Sequence, residues 1–265
     1  MADEAATTKA ATPLAVGLAD SLAAAWRDGR AISAQPWATA LDGASAAYAV
    51  QDLLGRSMGW FGPELARHWK SGGPNRQAVL THAPLPPAGV RASPARCADM
   101  QFQTLGIEAE IALRLGEAVT PAQAAILNAS DAAALVDAMA VSIEIVDSRW
   151  QEGGDAPALL RLADLQSHGA LVLGEWKPYA ARDWAAQSCE VRIGSQAPVV
   201  RQGTHPLGDP GWLLPVWLRH LARSGLTVPA GTVVTTGSWV GMLQAQPGDS
   251  VAVSFEGVGS AAVQL

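Results

Sequence analysis

The chain has 265 residues, 49% of them hydrophobic, and a formal net charge of −6, with basic side chains scattered rather than massed in any segment. That length supports one sizeable core, and that charge gives no electrostatic footing for nucleic acid or an anionic membrane surface. No run of about 18 apolar residues marks a membrane span, and Met1 to Thr12 lacks the basic start and apolar middle of a signal peptide, so a soluble, cytoplasmic protein is expected.

Residues 1–12, rich in Ala and Thr without pattern, are expected to form a disordered tail. Residues 13–60 predict an N-terminal helical layer. Leu14, Leu18, Leu22 and Trp26 recur every four positions in an amphipathic helix ending near Gly29, and Tyr48, Val50, Leu53 and Leu54 mark a second helix over about Ser45 to Met58. From Trp60 to Met100, Pro63, Pro74, Pro84, Pro86, Pro87 and Pro94 exclude long regular elements and leave loop and short strand. Within this stretch lie His68-Trp69-Lys70-Ser71-Gly72-Gly73, a lysine beside a flexible turn, and Thr81-His82-Ala83-Pro84. By residue type alone Lys70 reads as a surface lysine.

The stretch Gly106 to Leu115 is the one around which the rest of the chain is organised. Ile107, Ala109, Ile111, Leu113 and Leu115 alternate with Glu108, Glu110 and Arg114, the period of a half-buried β-strand. Glu108 and Glu110 then project side by side, roughly 7 Å apart at ~3.4 Å per residue. Like charges so placed repel unless a cation lies between them, although a Glu-x-Glu pair on a wet strand face is commonly no more than solubilising charge. After this strand, Thr120-Pro121 opens a helical turn, and Ser130 to Met139 reads as a second short helix.

Ala140 to Asp147 is a second β run with Val141, Ile143 and Ile145 on one face and Ser142, Glu144 and Val146 on the other. An unpaired carboxylate at Glu144 would be costly to bury. Arg149 comes next and either pairs with Asp147 or holds an anionic ligand, with pairing the better supported of the two. Gln151 to Pro157, with Gly153-Gly154, has the composition of a mobile loop and a plausible lid. Asp164 to Gly169 is a polar turn before the strand Ala170 to Leu173, and Cys189 to Ile193 with Val199 to Arg201 predicts a hairpin around Gly194.

Asp209-Pro210 caps a helix with the stripe Leu213, Leu214, Trp217, Leu218 and Leu221. Strands over Thr232 to Thr236, Val251 to Phe255 and Gly257 to Leu265, joined by Gly turns, close the chain. Cys97 and Cys189 are far apart without metal spacing and read as free buried thiols. Ten Trp, among them Trp26, Trp150, Trp212 and Trp217 in apolar contexts, read as core or interface payload. Dinucleotide and P-loop glycine motifs are both absent, which disfavours nucleotide chemistry.

Taken together, Ala47-Tyr48-Ala49-Val50-Gln51, Trp69-Lys70-Ser71-Gly72, Ile107-Glu108-Ala109-Glu110-Ile111-Ala112, Ile143-Glu144-Ile145-Val146-Asp147-Ser148-Arg149, Ala163-Asp164, Thr236-Gly237-Ser238 and Gly248-Asp249 through Gly257-Val258-Gly259-Ser260 resemble the fumarylacetoacetate hydrolase superfamily. The likeness is greatest to its 2-keto-4-pentenoate hydratase and 4-oxalocrotonate decarboxylase branch and covers the chain from about residue 14. The resemblance implies an α+β fold, a mixed β-sheet roll with flanking helices, with residues 61–265 as the catalytic domain behind the N-terminal helical layer.

It further implies Glu108, Glu110 and Glu144 as ligands of a divalent metal, and an all-oxygen anionic set suits Mg²⁺ or Mn²⁺. Lys70 is implied as the catalytic lysine and Asp164, or a bound water, as a proton carrier. Thr236, Gly237 and Ser238 are implied to face the substrate carboxylate, with Arg149 as a further anion contact. The expected partner is a small 2-oxo or 2-hydroxydienoic acid, and the expected assembly is a homo-oligomer. The sequence departs from the hydratase pattern at Ser71-Gly72-Gly73-Pro74 after Lys70 and at Leu165 after Asp164, where the hydratases usually carry Asn.

The leading expectation is hydration of a 2-hydroxy-2,4-dienoate in the catabolism of aromatic-derived meta-cleavage products. Decarboxylation of a vinylogous 2-oxo diacid makes the same demand on the metal. Hydrolysis of an acylpyruvate-type C–C bond needs a positioned base, for which His68 and His82 are the candidates in a suggestive loop. A non-catalytic small-acid binder is disfavoured by three clustered carboxylates and Lys70.

Overall fold

The computed structural model describes residues 12–265. The tail expected over residues 1–12 therefore lies outside the described residues, apart from Thr12. The Thr12 hydroxyl accepts the N–H of Ala15 at 3.2 Å and caps α1, Pro13–Asp28, which ends at Gly29 in the left-handed region. A second helix, α2 (Ala44–Ser57), packs against it. Leu18, Leu22, Val50 and Leu54 are fully buried between them. The layer is continued by a later segment, since Trp150, Ala156, Leu160, Leu162 and Leu165 belong to the same apolar cluster.

The first strands are β1 (His68–Gly72), β2 (Thr81–Pro84), β3 (Val90–Ala92), β4 (Ala95–Arg96) and β5 (Gly106–Leu115). Short helices α3 (Pro121–Ile126) and α4 (Ala129–Ala134) precede β6 (Val136–Val146). Next come α5 (Ala158–Ala163), β7 (His168–Leu173), β8 (Lys177–Pro178), β9 (Ser188–Ile193) and β10 (Val199–Gln202). The chain ends with α6 (Leu214–Ala222), β11 (Val233–Thr235), β12 (Leu243–Gln244), β13 (Ser250–Phe255) and β14 (Gly259–Gln264).

The main sheet is mixed and runs β2-β1-β11-β5-β6-β7-β3; a second runs β10-β9-β13-β14-β4. The fold is thus α+β, two sheets with helices around them. The C-terminal strands divide between the sheets, β11 entering the first and β13 and β14 the second. The helix expected over residues 130–139 is corrected. The helix α4 ends at Ala134, and residues 136–139 instead extend β6, which pairs with all ten residues of β5 with one register shift between Arg114 and Leu115. Cross-strand pairing beside Val136, Met139 and the aliphatic run after them overrides the helix propensity of the alanines.

The half-buried reading of β5 is also corrected. The strand sits between β11 and β6, and Glu110 is only 2% exposed. Alternation reports two chemically different faces, but loops cover the acidic face here. Cys97 and Cys189 are free and buried, and Trp150 and Trp217 are core residues. Among the described residues no helix is long and apolar enough to cross a membrane.

Gln51 explains part of the α2 motif. Buried on α2, it donates to the carbonyls of Leu162 at 2.6 Å and His82 at 3.2 Å, tying α2 to α5 and β2. Substitution Gln51→Ala leaves two buried carbonyls without that donor, and urea unfolding should show a loss of about 1–3 kcal/mol.

Candidate metal centre

Register places the acids. Glu108 on β5 stands directly opposite Glu144 on β6, and Glu110 opposite Ser142. Opposed like charges destabilise a strand pair, so the arrangement needs compensation. One oxygen from each of Glu108, Glu110 and Glu144 lies within 4.8 Å of the others. On the far side of β11, β1 runs parallel with Lys70 level with Thr235, and its side chain reaches over the same face. Lys70 Nζ donates to Glu144 Oε1 at 2.5 Å and to the Gln166 carbonyl at 3.1 Å.

Glu110 and Glu144 are held by different devices. The Thr235 hydroxyl and the Gly237 N–H, the latter at 2.9 Å, both donate to Glu110 Oε2. Gly237 aims its N–H there at φ 106°, a conformation that favours glycine. Glu144 Oε1 also faces His168 Nδ1 at 3.3 Å. Burial lowers the His168 pKa, so the ring is neutral; because the carboxylate only accepts, the proton sits on Nδ1. Glu144 Oε2 is buried and has no hydrogen-bond partner. An orphaned carboxylate oxygen converging with two other carboxylates fits a hard divalent cation, and the oxygen-only donor set disfavours zinc.

Protonation follows the same geometry. Burial pushes Glu108 up to about 8, with Glu110 and Glu144 adding repulsion against the opposing pull of Lys70. Burial and Glu144 raise Glu110 to about 7, despite the bonds from Thr235 and Gly237. Burial alone would raise Glu144 too, but the Lys70 ammonium and His168 hold it below its ordinary value. Burial pulls the Lys70 pKa down, and the three carboxylates together more than reverse this, so Lys70 is an ammonium rather than a surface lysine.

The cleft above these groups is lined by Lys70, residues 71–74, Glu108, Glu110, Gln166, Pro206, Thr235, Gly237, Ser238 and Gly241. It has a volume of about 350 Å³, within the range of small-molecule sites. Ser238 lines it, with its hydroxyl on the Gly241 carbonyl at 2.7 Å. Thr236 does not; its hydroxyl donates to the Ile111 carbonyl at 2.7 Å, and its own carbonyl contacts His205 at 2.9 Å. Gly237 spends its N–H on Glu110.

Asp164 and Arg149 pair with each other beneath the cleft. Arg149 Nε and backbone N–H donate to Asp164 at 2.6 and 2.9 Å, while Nη1 donates to the His168 carbonyl at 2.7 Å. The Arg149 guanidinium lies 4.0 Å from the Trp26 ring centroid and 3.7 Å from Asp147. Burial pushes Asp164 up to about 6, against the attraction of Arg149. Neither group lines the cleft.

Three contributors escaped sequence reasoning. Thr235 and His168 bind the acids, and Gln166 presents its carbonyl to Lys70. Leu165, Gln166 and Ser167 are consecutively left-handed, with φ of 48°, 55° and 57°. Such residues cost roughly 1–2 kcal/mol each. This turn delivers the Gln166 carbonyl, and the pairing of Asp164 with Arg149 fixes its start. Departure from the Asn usual after Asp164 was the only signal. His68 and His82 line no part of the cleft, and His82 Nδ1 is bonded to the buried Ser71 hydroxyl at 2.8 Å.

A mixed β-sheet roll with three carboxylates and a buried lysine converging on one cleft defines the class. Residues 81–265 match the fumarylacetoacetate (FAA) hydrolase C-terminal family, and the chain belongs to that family. It is an enzyme of the fumarylacetoacetate hydrolase superfamily. It is similar to 2-keto-4-pentenoate hydratase 1 of Dechloromonas aromatica (strain RCB), with 29% identity over 253 residues, 90% of this chain and 92% of that protein. To 2-keto-4-pentenoate hydratase 2 of the same organism it is 32% identical over 159 residues, 58% of each chain. Its fold is similar to 4-oxalocrotonate decarboxylase from Pseudomonas putida G7 complexed with magnesium and adipate, with a TM-score of 0.80 and 20% identity over 94% of this chain and 96% of that one. The resemblance read from the motifs, superfamily and branch alike, is borne out.

Two outcomes test the centre. Calorimetric titration should show Mg²⁺ binding that Glu108→Ala abolishes. Its affinity should rise roughly tenfold or more from about pH 6 to pH 8, because protons held by Glu108 and Glu110 compete with the cation below their raised pKa values. By contrast, Arg149→Met should lower unfolding stability by about 3–5 kcal/mol, by stranding the buried Asp164 charge. A large loss of Mg²⁺ affinity in Arg149→Met without a loss of stability would contradict that structural role.

Proposed function

We propose that the protein is a divalent-metal-dependent hydratase that adds water to a 2-hydroxy-2,4-dienoate to give a 4-hydroxy-2-oxo acid. The observation that carries this reading is Lys70, an ammonium held against Glu144 at the wall of a cleft floored by three carboxylates. Similarity to two 2-keto-4-pentenoate hydratases supports the substrate class.

Glu108, Glu110 and Glu144 would hold the metal. A hard divalent cation bound there supplies electrostatic stabilisation to negative charge developing on the 2-oxygen of the substrate. Lys70 is the proton carrier that lines the cleft. Its ammonium gives a proton to the terminal alkene carbon and recovers the enol proton, which produces a 2-oxo-3-enoate. Water then adds its hydroxyl at the alkene carbon remote from the ketone, while its proton reaches the neighbouring carbon through the same amine. The Gln166 carbonyl and Glu144 aim Nζ, and Ser238 stands at the mouth as a polar contact.

Hydrolysis of a C–C bond is less well supported, because among the described residues no histidine lines the cleft to activate water. Decarboxylation of a 2-oxo diacid makes the same demands on Lys70 and the carboxylates. The two are separated by ultraviolet decay of 2-hydroxypenta-2,4-dienoate with Mg²⁺, with EDTA and with Lys70→Met. Rapid, chelator-sensitive decay to the 4-hydroxy-2-oxo acid is expected, slowed by about 10²–10⁴-fold in Lys70→Met while Mg²⁺ binding persists. Absence of decay despite tight Mg²⁺ binding would exclude this substrate.

A further inference from the structure

The cleft continues beyond the carboxylates into a second lobe. Both lobes share Lys70, Glu108 and Gln166, and the second adds Thr81, Gly154 and Arg161, with a volume of about 520 Å³. That lies within the ~300–1,000 Å³ of ordinary small-molecule sites and extends the room for a ligand beyond the carboxylates.

Arg161, on α5, is half-buried at this lobe. Its Nε donates to the Ala156 carbonyl at 3.0 Å, which anchors the head group to the 151–157 loop and leaves Nη1 and Nη2 without a hydrogen-bond partner among the described residues. No acid pairs with it there. Glu152, the glutamate of that loop, is turned away onto the Ser33 hydroxyl and the Ala34 N–H, at 2.9 and 3.0 Å. The acids lining the two lobes are Glu108 and Glu110, which cluster with Glu144, and neither pairs with Arg161. A planar guanidinium with two free N–H edges is matched in shape and charge by a carboxylate.

We infer that Arg161 is a specificity-determining residue that binds the distal carboxylate of a dicarboxylic substrate, whose 2-oxo acid end lies at Glu108, Glu110 and Glu144. The inference rests on the proposed reading of that centre and narrows its substrate class from 2-oxo or 2-hydroxydienoic acids in general to diacids. The carbon chain then runs past Lys70 and Gln166, and the loop anchored at Ala156 closes over the far end.

Unreactive analogues test this without turnover. Calorimetric titration of the Mg²⁺-loaded protein with 2-oxoadipate and with 2-oxohexanoate should show the diacid binding about 10- to 100-fold tighter, the gain from one charge-assisted bidentate pair. Arg161→Gln should remove that difference by weakening only the diacid, and Arg161→Lys should retain part of it. Unchanged monoacid binding in Arg161→Gln reports that the variant is folded. Magnesium-dependent binding of both acids without a preference for the diacid, or a preference that survives Arg161→Gln, overturns the role of Arg161 and leaves the proposed centre standing. Failure of both acids to bind the Mg²⁺-loaded protein overturns the proposed centre and the role of Arg161 together.

Discussion

Two glutamates face each other across the central strand pair of the main sheet, and the rest of the site exists to make that tolerable. Glu108 and Glu144 occupy opposed positions on β5 and β6, with Glu110 two residues along the same face. In water such a triad merely repels; here Glu110 and Glu144 are almost wholly buried, where each uncompensated charge is costly. One lysine cannot neutralise three carboxylates. The fold therefore holds a standing preference for a cation, or for protons in its place, and the raised pKa values of Glu108 and Glu110 express the same imbalance.

The surroundings divide the labour. Thr235 and Gly237 fix Glu110 from β11, while Lys70 from β1 and His168 from β7 occupy one oxygen of Glu144 and leave the other bare. Behind them, the ion pair of Arg149 with Asp164 anchors the left-handed turn over residues 165–167. Backbone strain there is sustained because the buried pair, the Gln166 carbonyl on Lys70 and the Ser167 carbonyl on the Asp147 N–H over-determine it. Residues with no contact to the cleft thus decide where its ammonium stands.

Much of this was legible in the residue pattern. Alternation marked β5 and the second half of β6, and the Glu-x-Glu spacing together with Glu144 marked the acids. Gly29 marked the end of α1, and Asp209-Pro210 marked a later helical start. The pattern failed where local propensity and tertiary pairing disagree. The alanines before Val136 read as helix until β5 supplies a partner for the residues after them. Chemical type alone left open where Arg149, Asp164 and Thr236 direct their hydrogen bonds. A polar side chain beside a motif looks available to a ligand, and only the packing of Trp26, His168 and Ile111 against these groups shows where their hydrogen bonds go.

By itself, the sequence determined which strands alternate, which carboxylates share a face, and the family to which the chain belongs, because side-chain period and residue order are local properties of a chain. The three-dimensional fold decided that Lys70 is a buried ammonium, that Glu144 keeps one oxygen free, that Thr235 rather than Thr236 holds an acid, and that Arg161 opens onto the cleft. Those facts depend on burial and on contacts between residues distant in the chain, such as Lys70 and Glu144, 74 positions apart, and no local pattern encodes which side chain arrives first at a shared partner.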